Sequence, residues 1–448
     1  MEEKKKEPSP QWLIVVSAAV ISAYTLCIFL FSSNWRNGFL VLLSGLFGFI
    51  LKFGPFGYTC TFKSMIVKQD FSEYRDMLIM LFTGTLLCSI FEMFPSLRPL
   101  FPTNPKATLS DSSAPIGLSL VIGSFLFGIG MQLGSGCASG TFVGIGGGFL
   151  KAYVVLPFFI IGATIFTLNP FYHFWSKLPK TEKEVTIPFY CTLLILIALY
   201  GITLLIDFLK LKKKKDSKEL ISDDNGDTKQ LIPPENEKDT EKDIKEKEES
   251  KSTIKFFFVI FFNQYNNKYI KLYSSLHNVI VAVSIGIVIS LFYLCVGSMI
   301  GVMGVFSIIG AYFLKLFGAT PEKWDFFNIF FDGQLPKNMF DVTIFNSDLL
   351  MAMGAFVAAS IKGVFGKSQN KGAMEYVKGM IGGLLMGMGA RMAGGCNIGA
   401  MTSGITSSSL HGFIWMFSAI LGSFCMLKSD IVLKMFSKKK VETKEEEK

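Results

Sequence analysis

Apolar runs recur along this chain at lengths that fit a bilayer. They lie near 12–32, 38–54, 76–94, 116–134, 152–168, 186–209, 276–297, 348–365, 376–393 and 410–427. A hydrocarbon core of about 30 Å is crossed by roughly 20 apolar residues in a helix, so the pattern predicts about ten transmembrane helices. The polar positions between them fall into two kinds of loop. Lysines gather in 1–8, 63–75, 210–215, 362–378 and from 428 onward, whereas 94–115, 169–185 and 317–348 are richer in Pro, Asn, Asp and aromatic residues. Alternating spans put all the lysine-rich loops on one side, and the positive-inside rule makes that side cytoplasmic, with both termini there.

The interruptions of the apolar pattern repeat. Gly130–Gly140 reads GMQLGSGCASG and Gly389–Gly399 reads GARMAGGCNIG, which places Cys137 on Cys396, Gly136 on Gly395 and Gly140 on Gly399. Upstream, GPFGYTCTF from Gly54 aligns with GVMGVFSII from Gly301, placing Gly57 on Gly304 and Cys60 on Ser307. Each half then reads span, broken element, two spans, broken element, closing span. The odd span 186–209 turns the second half upside down. The expected fold is an all-α polytopic membrane protein, with about ten transmembrane helices plus four broken or re-entrant half-helices in two inverted repeats. Its segments are 1–37, a cytoplasmic N-tail and extra first span; 38–185, the first repeat; 186–209, a connecting span; 210–275, a charged cytoplasmic linker; 276–427, the second repeat; and 428–448, a charged cytoplasmic tail. In such architectures the site forms where the breaks meet, near the midplane.

Half-helices are expected at 61–68, 138–149 and 397–406, with Cys60, Cys137 and Cys396 at or near their N-terminal ends. The flanking Gly57, Gly136, Gly140, Gly304, Gly395 and Gly399 let the backbone turn and a ligand approach closely. Unpaired N–H groups and the positive dipole end at such a place attract an anion. Arg391, a cation inside an apolar run, requires a partner or a wet cavity and would draw an anion to the outer half; its repeat mate is Gln132. The elements after Cys60 and Cys137 would enter from the cytoplasmic side, and those after Ser307 and Cys396 from the other.

Composition narrows the classes further. The 448 residues are 50% hydrophobic and 14% aromatic, unlike a soluble globular chain. The net charge of +9 follows the loops and does not form a nucleic-acid footprint. The eight cysteines lie in or beside apolar segments without a CxxC or Cys/His cluster, so neither a disulfide framework nor a metal is expected, and no cofactor motif is present. Cys27, Cys88, Cys191, Cys295 and Cys425 read as packing residues, and His173, His277 and His411 as interfacial ones. Asp348 and Glu375 stand at the starts of spans and read as interfacial too. Nothing in the sequence specifies a protein partner.

At GYTCTF, GSGCASG and GARMAGGCNIG the chain resembles the YeeE/YedE sulfur-transport family, the bacterial thiosulfate uptake proteins. The resemblance covers most of 38–427; GVMGVFSIIGA looks like a degraded form of a PWGITSAF-type segment, with Met303 where tryptophan is expected. Membership implies an hourglass of inverted repeats in which thiosulfate passes a constriction lined by Cys60, Cys137 and Cys396. The long linker and extra first span depart from the compact bacterial pattern. The expected activity is import of a small sulfur-containing anion, thiosulfate or a relative, across the plasma membrane, by thiol contacts and no enzymatic turnover. Two alternatives stay open: a membrane-embedded sulfurtransferase or thiol redox enzyme, and a channel or transporter for another small sulfur or selenium solute.

Overall fold

A computed structural model describes residues 35–54, 56–94, 113–223, 274–296, 301–331, 335, 342–367 and 372–446, with scattered positions between 11 and 27. The expected first span near 12–32 and most of the linker lie outside the described residues. Within them the chain is helical, with two isolated β-bridges, Gly117 to Lys180 and Thr186 to Ser409.

The helices are α1 Trp35–Phe53, α2 Tyr58–Lys63, α3 Ser72–Met93, α4 Leu118–Gly134, α5 Ala138–Gly146, α6 Leu150–Ile165, α7 Asn169–Ser176 and α8 Phe189–Asp223 in the first part. After the linker come α9 Leu276–Val296, α10 Gly304–Leu316, α11 Asp325–Phe331, α12 Thr343–Ile361, α13 Ala373–Met392, α14 Ser403–Thr406 and α15 Leu410–Glu446. π-helical turns extend α2 over Ser64–Lys68 and precede α14 over Asn397–Thr402. In hydrocarbon every backbone group must be satisfied within the segment, so these apolar runs fold as helices.

Among the described residues seven helical stretches are long and apolar enough to cross a membrane, or eight when α6 and α7, bent by 74°, count as one. The chain is an all-α polytopic membrane protein. Two expected spans make up the difference from ten: 12–32, and 376–393, which is present as α13 but carries Glu375, Lys378 and Arg391 among its glycines. Helices α8 and α15 run past the expected ends at 209 and 427 to Asp223 and Glu446, because the Lys- and Glu-rich segments that follow are good helix formers.

One boundary changes a reading. α12 starts at Thr343, where Ile344 and Phe345 supply apolar surface and Asn346 bonds back to the Val342 carbonyl. Asp348 therefore sits inside the helix and is 2% exposed, not at an interface. His411 is likewise buried, its Nδ1 accepting the Ala114 N–H at 3.2 Å and lying 2.7 Å from Ser409 Oγ.

Packing pairs α1 with α12, α3 with α9, α4 with both α13 and α15, and α6 with α13, while α1 also meets α9. Exchanging α1 with α9, α3 with α12, α4 with α13 and α6 with α15 maps this set of pairs onto itself. The α4/α13 crossing is glycine on both sides. A Cβ on Gly123 would stand 2.6 Å from the Gly389 carbonyl oxygen, and one on Gly389 2.4 Å from that of Gly123. Gly130 and Gly382 meet in the same reciprocal way, each 2.7 Å from the other's carbonyl oxygen. Such small-residue faces let membrane helices approach closely enough for backbone contact. Around the crossing, Phe127, Phe159, Phe306 and Trp415 form a buried aromatic column, with Phe142 of α5 stacked on Phe306 of α10 at 5.5 Å.

Candidate functional site

The two glycine-cysteine segments adopt nearly the same backbone. α4 stops at Ser135, which is left-handed at φ 61°, and Cys137 follows in extended conformation at φ −91°, ψ −171° as the N-cap of α5. α13 stops at Gly394 and Gly395, with φ 74° and 157°, and Cys396 follows at φ −97°, ψ −170° as the cap of the 397–402 turn. A side chain on Gly395 would meet the Ala400 backbone nitrogen at 3.0 Å as well as the positive φ, so this position requires glycine.

Both thiols are buried. Cys137 Sγ accepts the Gly140 N–H at 3.4 Å and lies 3.3 Å from Ser139 Oγ. The Cys396 carbonyl accepts Ala400 N–H at 2.8 Å, while its side chain makes no capping bond. Tyr58, at the start of α2, ties α2 to the 397–402 turn: its hydroxyl lies 2.9 Å from Thr402 Oγ1, and its side chain belongs to the same buried cluster as Cys137 and Cys396. Beside them Asn397 is wholly buried, and neither end of its amide finds a hydrogen-bond partner.

Cys60 is placed differently. Gly57 is the N-cap of α2, and Cys60, one turn in, is exposed on a cavity of about 300 Å³ with Thr59, Lys63, Gln132, Ser135, Glu375 and Lys378. A second cavity of about 320 Å³ is lined by Ser135, Gly136, Gly140, Thr141, Lys151 and Lys367. Ser135 lines both, and Lys151 bridges it at 2.9 Å to Glu375 at 3.1 Å. The Cys137 segment thus opens onto a vestibule carrying several cations.

The remaining expected residues surround the start of α10. Arg391 donates to the Met303 carbonyl at 2.8 Å and lies 4.9 Å over the Phe326 ring, leaving Nε without a partner. Gly304 opens α10 beside Ile344, and Ser307 is buried one turn later, its hydroxyl also unpartnered. Gly399 is the third residue of the 397–402 turn. The fold therefore buries Cys137 and Cys396 in one cluster with Tyr58, sets Cys60 with Gln132 on a cavity, and sends Arg391 to the α10 entrance.

Tyr58, Lys151 and Asn397 were not singled out from the sequence, and Asp348 was read there as interfacial. Lys151 and Asn397 carried the same signal as Arg391, a polar group within an apolar run; Tyr58 had only its place beside Gly57. Among the described residues no group of three or more His, Cys, Asp or Glu side chains could hold a metal ion.

A family profile described as Sulphur transport matches residues 53–425. The chain is 30% identical over 142 residues to the probable transporter YedE of Escherichia coli, covering 32% of this chain and 35% of that protein. The YedE of Salmonella typhimurium is 29% identical over the same length. The thiosulfate transporter TsuA of Spirochaeta thermophila is 42% identical over 74 residues, 16% of this chain and 22% of that protein. The matches to the YedE proteins thus span about a third of their length.

Proposed function

The chain belongs to the sulphur transport family, and from that premise we propose that it imports a small sulfur-containing anion, thiosulfate first, past Cys396, Cys137 and Cys60 in turn. The observation that carries the reading is the pair of buried cysteines, each at the cap of a half-helix with the same backbone and both in one buried cluster with Tyr58. At such a cap the free backbone N–H groups suit the oxygens of the anion, and a neutral thiol donates a weak hydrogen bond to its terminal sulfur. Several weak contacts in series let the anion leave as well as enter. Cys60 and the cavity cations Lys63, Lys151 and Lys367 then receive it on the lysine-rich side.

The same proposal includes two inverted repeats in the plasma membrane, with both termini cytoplasmic. Its support is the self-mapping set of helix pairs and the reciprocal Gly123/Gly389 and Gly130/Gly382 contacts. The test is uptake of labelled thiosulfate into vesicles of the purified protein, with sulfate and sulfite as competitors. Thiosulfate is expected to win, and Cys396→Ala to abolish its advantage. Sulfate winning overturns the role of the thiols, since sulfate has no terminal sulfur for them to recognise.

A further inference from the structure

Asp348 has no place in that path as described, yet its setting is costly. It lies inside α12, 2% exposed, and its Oδ2 is enclosed with no hydrogen-bond partner among the described residues. A carboxyl in a membrane span without a partner is expensive to keep and marks function more often than packing. Its surroundings are those of the proposed substrate. Ile344, one turn earlier on α12, packs at Gly304, where Arg391, five residues before Cys396, holds the preceding carbonyl.

Among the described residues, the elements packed on α12 bring few other titratable or charged groups. From α5 comes its cap Cys137; α1 brings Lys52, which sits over the Phe149 ring at the opposite end. α10 brings Tyr312, and Lys315, which is engaged by Glu322. Arg391 is spent on the Met303 carbonyl and the Phe326 ring.

We infer that Asp348 is the proton-binding residue of the transport cycle, taking up a proton when the anion occupies Cys396 and releasing it when the anion moves on. This rests on the transport reading and names its coupling ion. The physical reason is linkage. An ionised carboxylate and a dianion in one buried site repel, whereas a neutral carboxylic acid leaves the anion undisturbed, so each ligand strengthens binding of the other. The sign follows: a lower pH protonates Asp348 and tightens anion binding, and a higher pH loosens it. An inward proton gradient then drives a dianion into an interior-negative compartment, which the membrane potential alone opposes.

The experiment uses full-length protein in proteoliposomes with a pH-sensitive dye inside and labelled thiosulfate outside. Wild type should show proton entry in step with thiosulfate entry. Its apparent thiosulfate affinity should weaken about tenfold per pH unit once Asp348 deprotonates, the slope for one linked proton. Asp348→Asn should abolish proton entry and flatten the pH profile, and Asp348→Glu should restore both. Thiosulfate entry in wild type without protons overturns the inference and leaves the transport reading intact. Absence of any thiosulfate entry overturns the transport reading itself. Proton entry per thiosulfate unchanged in Asp348→Asn removes the assignment to this residue. Should Asp348→Asn fail to fold, the wild-type proton measurement and Asp348→Glu decide the matter alone.

Discussion

Replacing Cys137 with serine separates its two roles. The thiol caps α5 by accepting the Gly140 N–H at 3.4 Å, and it lies 3.3 Å from Ser139 Oγ. A serine hydroxyl accepts the same N–H more strongly and belongs to the preferred N-cap residues. Cys137→Ser should therefore hold stability within about 0.5 kcal/mol of wild type, while Cys137→Ala strips the cap and costs about 1 kcal/mol. Transport should follow a different order. Serine lacks the polarisable sulfur, so a step that depends on a thiol contact with a charged substrate should fall in both variants. Such a weak contact is worth about 0.5–1.5 kcal/mol, or roughly a 2- to 13-fold lower initial rate. The assay pairs unfolding of the purified protein in detergent with initial thiosulfate uptake in proteoliposomes. Wild-type uptake by Cys137→Ser would refute the thiol step, and equal destabilisation of the serine and alanine variants would refute the cap.

Two further outcomes follow from the packing. Gly389→Ala sets a Cβ 2.4 Å from the Gly123 carbonyl oxygen, too close to backbone to relax locally. It should cost about 1–3 kcal/mol in detergent unfolding, and a loss below about 0.5 kcal/mol would show that α4 and α13 are not held this closely. Tyr58→Phe removes the 2.9 Å link to Thr402 Oγ1 and should cost about 1 kcal/mol. Combined with Thr402→Val the losses should be less than additive, because both remove one contact; full additivity would show that the two hydroxyls do not interact.

Much of the fold was legible along the chain. Apolar length announced the helices, and glycine at Gly394 and Gly395 announced the breaks, because both are local properties: one of side-chain transfer, the other of allowed φ. Cys137 and Cys396 stand at helix caps by the same local logic, whereas Cys60 lies within α2, which Gly57 caps. Boundaries were less legible where composition changes gradually, as at α12, whose start at Thr343 carries Asp348 inside. Lys151 passed unmarked for another reason: a cation in an apolar run states that it needs a partner, and only packing shows that the partners are Ser135 and Glu375.

What the sequence determined alone is an α-helical membrane chain with a repeated, broken, cysteine-bearing element, since periodicity, charge bias and glycine act over a few residues. The tertiary structure decided which groups meet. Tyr58 touches Thr402 across 344 positions, Cys137 and Cys396 share one buried cluster with that tyrosine, and Asp348 lies enclosed within α12. Such meetings depend on how glycine faces let α4, α13, α6 and α15 close upon one another, a long-range outcome of packing that no local pattern encodes.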